Sequence, residues 1–122
     1  MLTKYSSYED VVKTWGFEII NTAMIGDYSG DFVAVLYTQG TYGLLVHGYG
    51  SCSGCDELLG AETEQDVIDL SCYLRSTIRP YPDFESLKCD SLKKDGRFWY
   101  MYDKGFEEFL NETESLIARR NH

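Results

Sequence analysis

The pattern of apolar positions predicts a short helix near the start of the chain. Four apolar residues recur there at helical spacing, namely Tyr8, Val11, Val12 and Trp15. Ser7 lies directly before them and Asp10 follows three residues later, which is the arrangement of a capping pair. Gly16 is expected to end this helix, because glycine is a poor helix former.

Three runs of strand-like residues follow, and short turns separate them. The runs cover residues 17–25, 32–38 and 41–50. The first turn, GDYSGD, has two glycines and two aspartates, and the second turn is Gln39 with Gly40. Strands that are joined by such short turns usually pair with their neighbours in sequence, so we expect an antiparallel meander.

The second half of the chain is more helical. A helix should begin at Thr63, with Asp66 as its capping partner, and should run to about residue 78. Its apolar face comprises Val67, Leu70, Leu74 and Ile78. Two prolines prevent residues 79–84 from continuing that helix, and residues 97–102 predict a fourth strand. Asp103 should cap a last helix, whose inner stripe is Phe106, Phe109, Leu110, Thr113 and Ile117.

Together these elements predict one α+β domain over residues 1–122, with an antiparallel sheet of about four strands and helices packed on it. The hydrophobic fraction of 43% and the aromatic fraction of 15% are typical of a folded domain. No apolar run is long enough to span a membrane, and the first ten residues lack the apolar core of a secretion signal. We therefore expect a cytosolic protein without a membrane partner, whose cysteines are reduced or metal-bound.

The whole excess of negative charge lies in one continuous half of the chain, because the rest of the chain has equal numbers of acids and bases. The formal net charge is −9, and no Lys or Arg occurs between Lys13 and Arg75. That interval contains nine acids: Glu18, Asp27, Asp31, Asp56, Glu57, Glu62, Glu64, Asp66 and Asp69. Such a surface repels nucleic acid and favours a basic protein partner, although acidity also serves solubility.

Two cysteines enclose a short bend of small residues and suggest a metal site. Cys52 and Cys55 are two residues apart, and thiolates at this spacing bind one zinc ion when the turn is tight. Cys72 and Cys89 complete the pattern C-x2-C-x16-C-x16-C, so these four cysteines are the predicted ligands of a structural zinc. Cys72 falls within a predicted helix, where a cysteine more often serves packing. Cys89 follows the proline-containing loop, which is long enough to return to the bend.

Other interpretations of the bend remain open. His47 precedes it on a predicted strand and is a substitute metal ligand, and Asp56 is a further oxygen donor. A C-x-x-C pair is also typical of thiol–disulfide exchange, but the charges of Asp56 and Glu57 disfavour a thiolate. A catalytic zinc is not expected in a chain with two histidines, and neither a phosphate-binding loop nor a nucleophile-elbow motif is present. The bend can also be no more than a turn.

Residues 26–58 carry a resemblance to known proteins. They contain GDYSGDFVAVL and YGLLVHGYGSCSGCDEL, which resemble a stretch found in small proteins of phages and mobile elements. Among acidic phage proteins of this size, the chain is similar to the anti-CRISPR proteins that inhibit Cas9, one type of which contains zinc. The resemblance implies a non-enzymatic inhibitor that binds Cas9 in the cytoplasm of the bacterial host and blocks the loading or cleavage of target DNA.

The resemblance and the charge pattern together indicate which residues should contact a partner. Cas9 holds its guide–target duplex in a strongly basic channel, which an acidic domain can occupy without binding nucleic acid itself. The expected contacts are six acids around the start of the second predicted helix: Asp56, Glu57, Glu62, Glu64, Asp66 and Asp69. A structural zinc would hold this surface rigid. The alternatives are a thiol redox protein that uses Cys52 and Cys55, and a phage accessory module that binds another partner.

Overall fold

The computed structural model describes residues 7–26, 30–49, 60–92 and 104–120. Four strands within these ranges form one antiparallel sheet in the order β1-β2-β3-β4. The elements are α1 (Tyr8–Lys13), β1 (Glu18–Gly26), β2 (Gly30–Thr38), β3 (Thr41–Tyr49), α2 (Glu64–Ser76), β4 (Arg79–Tyr81), α3 (Phe84–Ser91) and α4 (Lys104–Arg120). The predicted α+β fold with an antiparallel meander is therefore confirmed.

Strand β2 is buried on both faces of the sheet, and this property organises the fold. Phe32, Ala34 and Leu36 pack into one hydrophobic core, whereas Val33 and Val35 pack into another. We call the first side the front face and the second side the back face. A continuous apolar run is expected of a strand that is covered on both sides, since successive side chains point in opposite directions.

Two helices cover each face. Helices α1 and α2 pack on the front face, where the predicted inner residues Val67, Leu70 and Leu74 are all buried. Helices α3 and α4 pack on the back face, and the predicted stripe of α4 is buried there except for the half-buried Ile117. The sheet thus separates two helical layers. None of the helices in the described ranges is both long and apolar enough to cross a bilayer.

The helix starts follow from local side-chain chemistry. In α1, the Ser7 hydroxyl accepts a hydrogen bond from the Asp10 backbone N–H, and the Asp10 carboxylate accepts one from the Ser7 N–H, both at 3.0 Å. Thr63 and Asp66 form the same reciprocal box at the start of α2. Both predicted capping pairs are confirmed. Helix α2 ends at Ser76, two residues before the predicted end.

The turns and one bulge set the register of the sheet. Gln39 and Gly40 both have left-handed backbone angles, with φ of 48° and 84°, which is the geometry of a tight hairpin between β2 and β3. In β1 the register shifts between Ile19 and Asn21, so Ile20 is an extra residue. As a result, Asn21 faces α4, and its side-chain amide donates to the Thr113 hydroxyl at 3.2 Å.

The region after α2 differs from the sequence-based prediction. Residues 79–81 were expected to be a loop but form β4, which pairs with β3 at the end of the described sheet, where a proline is tolerated. Residues 84–91 form α3, which was not predicted and in which Asp83 caps the first turn by accepting from the Ser86 N–H at 2.7 Å. Cys89 follows the proline-containing segment, as expected, but it lies on α3, a helix that was not predicted. The predicted strand at 97–102 and the cap Asp103 lie outside the described residues.

Candidate functional site

Helix α2 is held against the sheet by one side and presents its other side to solvent. Its rotation is set by the buried stripe and by Trp15 of the segment after α1, whose indole N–H donates to the Ser71 hydroxyl at 2.9 Å. The residues that point outward include acidic, apolar and thiol side chains. We call them the α2 outer surface: Glu64, Ile68, Asp69, Cys72 and Tyr73.

Two large apolar side chains of this surface are unusually exposed. Ile68 is 45% exposed and Tyr73 is 55% exposed, and among the described residues only Met24 is comparable. Each lies one helical turn after an acid, because Glu64 precedes Ile68 by four residues and Asp69 precedes Tyr73 by four. The apolar and acidic groups are therefore neighbours on the helix surface.

The four described acids predicted to bind a partner are all exposed, but they are not equivalent. Asp66 accepts hydrogen bonds from the backbone N–H groups of Glu62 and Thr63, at 3.0 and 3.1 Å. These bonds hold the pKa of Asp66 below its usual value, so its charge serves the helix N-terminus. Asp69 accepts from the Gln65 side chain at 2.8 Å and remains on the outer side. Asp56 and Glu57 lie outside the described residues.

His47 lies at the boundary between the sheet and α2. It is half-buried on β3, with its ring between those of Tyr8 and Tyr73, at centroid distances of 5.4 and 6.4 Å. Tyr73 thus connects the α2 outer surface to the front face of the sheet. Its position is defined by a ring contact even though most of its side chain is open to solvent.

The structure does not bring Cys72 and Cys89 together. Both are exposed, but Cys72 is on α2 at the front face and Cys89 is on α3 at the back face. Two thiolates on one zinc ion lie within about 5 Å of each other, since each Zn–S bond is about 2.3 Å. Cys52 and Cys55 lie outside the described residues. Within the described ranges, no group of three or more His, Cys, Asp or Glu side chains is arranged to hold a metal.

A polar network that the sequence analysis missed connects β4 to α3. The Tyr81 hydroxyl donates to the Asp90 carboxylate at 2.5 Å, and the Arg79 Nε lies 3.3 Å from the same oxygen. Burial, reinforced by the hydrogen bond to the carboxylate, raises the pKa of Tyr81 to about 12. Asp90 lies nine residues after Tyr81 and on another element, so no local sequence pattern identified the network.

A pocket that the sequence analysis also missed opens at the hairpin end of the front face, with a volume of about 180 Å³. Its wall is largely apolar, and among the described residues that line it one is a cation, Arg75 of α2. We call it the hairpin pocket; its main lining side chains are Phe17, Leu36, Thr38, Thr41, Arg75 and Ile78. One signal was available, because a glycine inside a strand, here Gly43, often marks a close approach of another segment.

Comparisons of the chain with protein-family models, with curated proteins and with solved structures found no match.

Proposed function

We propose that the protein is a non-enzymatic binding protein that uses the α2 outer surface to contact a basic nucleic-acid-handling protein, with Cas9 as the leading candidate. The observation that carries the proposal is the juxtaposition of two exposed apolar side chains, Ile68 and Tyr73, with the acids Glu64 and Asp69 on one helix. Tyrosine is enriched among the residues that dominate binding energy at protein interfaces. Acids around such an anchor increase the association rate and select a basic partner.

The charge pattern supports a basic protein rather than a nucleic acid as the partner. No Lys or Arg occurs between Lys13 and Arg75, so the sequence around the start of α2 adds no repulsion toward a cationic surface. Binding to a phosphate backbone requires the opposite charge, because lysines and arginines must neutralise it. Cas9 fits this chemistry through its basic channel, and the resemblance of residues 26–58 to phage proteins points to the same partner.

We include a structural zinc in the proposal, with Cys52 and Cys55 as its first two ligands. The bend that contains them joins β3 to α2 along the chain. A metal at this junction would fix the direction in which α2 leaves the sheet, which reduces the ordering cost of binding. Cys72 lies on α2, the helix that follows this segment along the chain.

The proposal is tested with single substitutions on two helices. Asp69→Lys and Tyr73→Ala alter the α2 outer surface without touching the capping box or the buried stripe. Glu107→Lys, on the exposed side of α4 at the back face, is the matched charge-reversal control. Affinity for guide-loaded Cas9 is measured by biolayer interferometry, and inhibition by a DNA-cleavage assay.

We expect each α2 variant to weaken binding by about tenfold or more, and Glu107→Lys to stay within about twofold of wild type. Wild-type affinity should also fall as salt rises, because exposed charges are screened. Equal binding by all variants would exclude the α2 outer surface. Normal cleavage by several Cas9 orthologues at excess protein would exclude Cas9 as the partner.

A further inference from the structure

The hairpin pocket combines an apolar floor with one oriented cation. Leu36 of β2, Ile78, which follows α2, and Phe17 supply its apolar surface. The hydroxyl-bearing residues Thr38 and Thr41 face each other across the β2–β3 pair at its mouth. No Asp or Glu is among the described residues that line the pocket, which is notable in a chain with a net charge of −9.

Arg75 is the feature that gives the pocket its chemical preference. Its guanidinium carbon lies 5.3 Å from the centre of the Phe17 ring, so the ring supports the face of the cation. Within the described part of the chain, Arg75 forms no ion pair with an acidic side chain. Stacking occupies the face of a guanidinium and leaves the N–H groups at its edge available, and this edge matches the two oxygens of a carboxylate.

We propose that the hairpin pocket binds a small monocarboxylate with an aromatic or branched aliphatic body, whose carboxylate pairs with Arg75 and whose body lies between Phe17, Leu36 and Ile78. The size of the pocket supports a small molecule. An apolar cavity of about 150 Å³ accepts one benzene ring, and this pocket measures about 180 Å³. One ring with a short acidic substituent fills that space, whereas a longer peptide would extend into solvent.

This site is separate from the α2 outer surface in both chemistry and position. The pocket lies where β3 begins, at Thr41, whereas Tyr73 contacts His47 near the other end of that strand. The inference therefore does not depend on the proposed partner. A ligand here would contact α2 through Arg75 and the sheet through Leu36.

The test is a titration of the whole protein with small ligands, which is monitored by ¹H–¹⁵N correlation NMR. The probes are 3-phenylpropanoate, its neutral analogue 3-phenylpropanamide, and a tetrapeptide that ends in phenylalanine with a free carboxylate. The variant Arg75→Gln removes the cation, and Arg119→Gln on the exposed side of α4 is the matched control. Amides of Gly43 and Ile78 report occupancy of the pocket.

We expect 3-phenylpropanoate to shift the pocket amides saturably and to bind about tenfold more tightly than the amide. Arg75→Gln should remove that preference, and Arg119→Gln should keep it. Equal affinity for acid and amide, or no saturable shift at millimolar acid, would overturn the proposal. Tighter binding of the tetrapeptide than of the free acid would assign the pocket to a protein C-terminus and overturn the small-molecule assignment.

Discussion

At Gly43 the sheet and the segment after α2 approach each other closely. A Cβ atom at this position of β3 would lie 2.7 Å from the Cγ2 atom of Ile78, well inside normal contact distance. Ile78 is half-buried and packs against the front-face core. The absence of a side chain at Gly43 therefore lets the chain pass from α2 to β4 close to the sheet.

We expect Gly43→Ala to lower the free energy of unfolding by about 1–3 kcal/mol, because the new methyl group overpacks the contact with Ile78. In an Ile78→Ala background the same change should cost less, since the clashing methyl group is gone. Gly48→Ala is the matched control, because its Cβ would meet atoms only at 3.7 Å and beyond. Urea denaturation of wild type, Gly43→Ala, Ile78→Ala and the double variant measures the coupling energy between the two positions. Strictly additive losses of unfolding free energy would contradict the close contact.

Among the contacts of individual residues, the sequence predicts those whose partners are near each other along the chain. Ser7 with Asp10 and Thr63 with Asp66 could be identified because a capping box spans three residues. The contact between Gly43 and Ile78 joins residues that are far apart in sequence. Its existence depends on where α2 is docked, and no local pattern encodes that position.

Among the secondary-structure elements, β4 and α3 were the ones that the sequence did not predict. Strand β4 has three residues, of which Pro80 opposes Gly43, and it is extended because the edge of β3 is available for pairing. Helix α3 has eight residues and buries Phe84, Leu87 and Ser91, so its apolar periodicity is too short to recognise. In contrast, α4 has seventeen residues and a complete stripe, and its prediction was confirmed.

The hydrogen bond from Tyr81 of β4 to Asp90 of α3 makes the stability of the folded protein depend on pH. A raised pKa means that folding favours the neutral phenol of Tyr81. Its contribution to stability is therefore fully present below pH 10, where the unfolded phenol is also neutral, and is lost as the pH rises toward 12. Above pH 10 we expect the unfolding free energy of wild type to fall more steeply than that of Tyr81→Phe. Urea denaturation between pH 9 and about 11 measures both slopes, and parallel curves would contradict this prediction.

For the molecule as a whole, the double-sided burial of β2 decides which predicted site residues can meet. The sequence gives Cys72 and Cys89 the same spacing from their preceding cysteines, and nothing in that spacing reveals on which side of the sheet each one lies. The fold places α2, which carries Cys72, on the front face and α3, which carries Cys89, on the back face. The shared exposure of the α2 acids could be predicted because they lie on one element, whereas a ligand set that spans several elements depends on the topology.

Because α2 and α3 lie on opposite faces of the sheet, we expect substitutions of different cysteines to have different effects on zinc binding. If the bend holds zinc, Cys52→Ser should abolish binding of one zinc ion per chain, because each thiolate is one of four tetrahedral ligands. Cys89→Ser should keep the metal, since the sheet lies between α3 and the helical layer that follows the bend. Mass-spectrometric metal analysis of protein purified without chelator measures the zinc content of both variants, and a chelator should lower the Tm of wild type and of Cys89→Ser alike.

Metal-free native protein with a chelator-insensitive Tm would reject the zinc site. Loss of zinc in Cys89→Ser would show instead that Cys89 is one of the ligands.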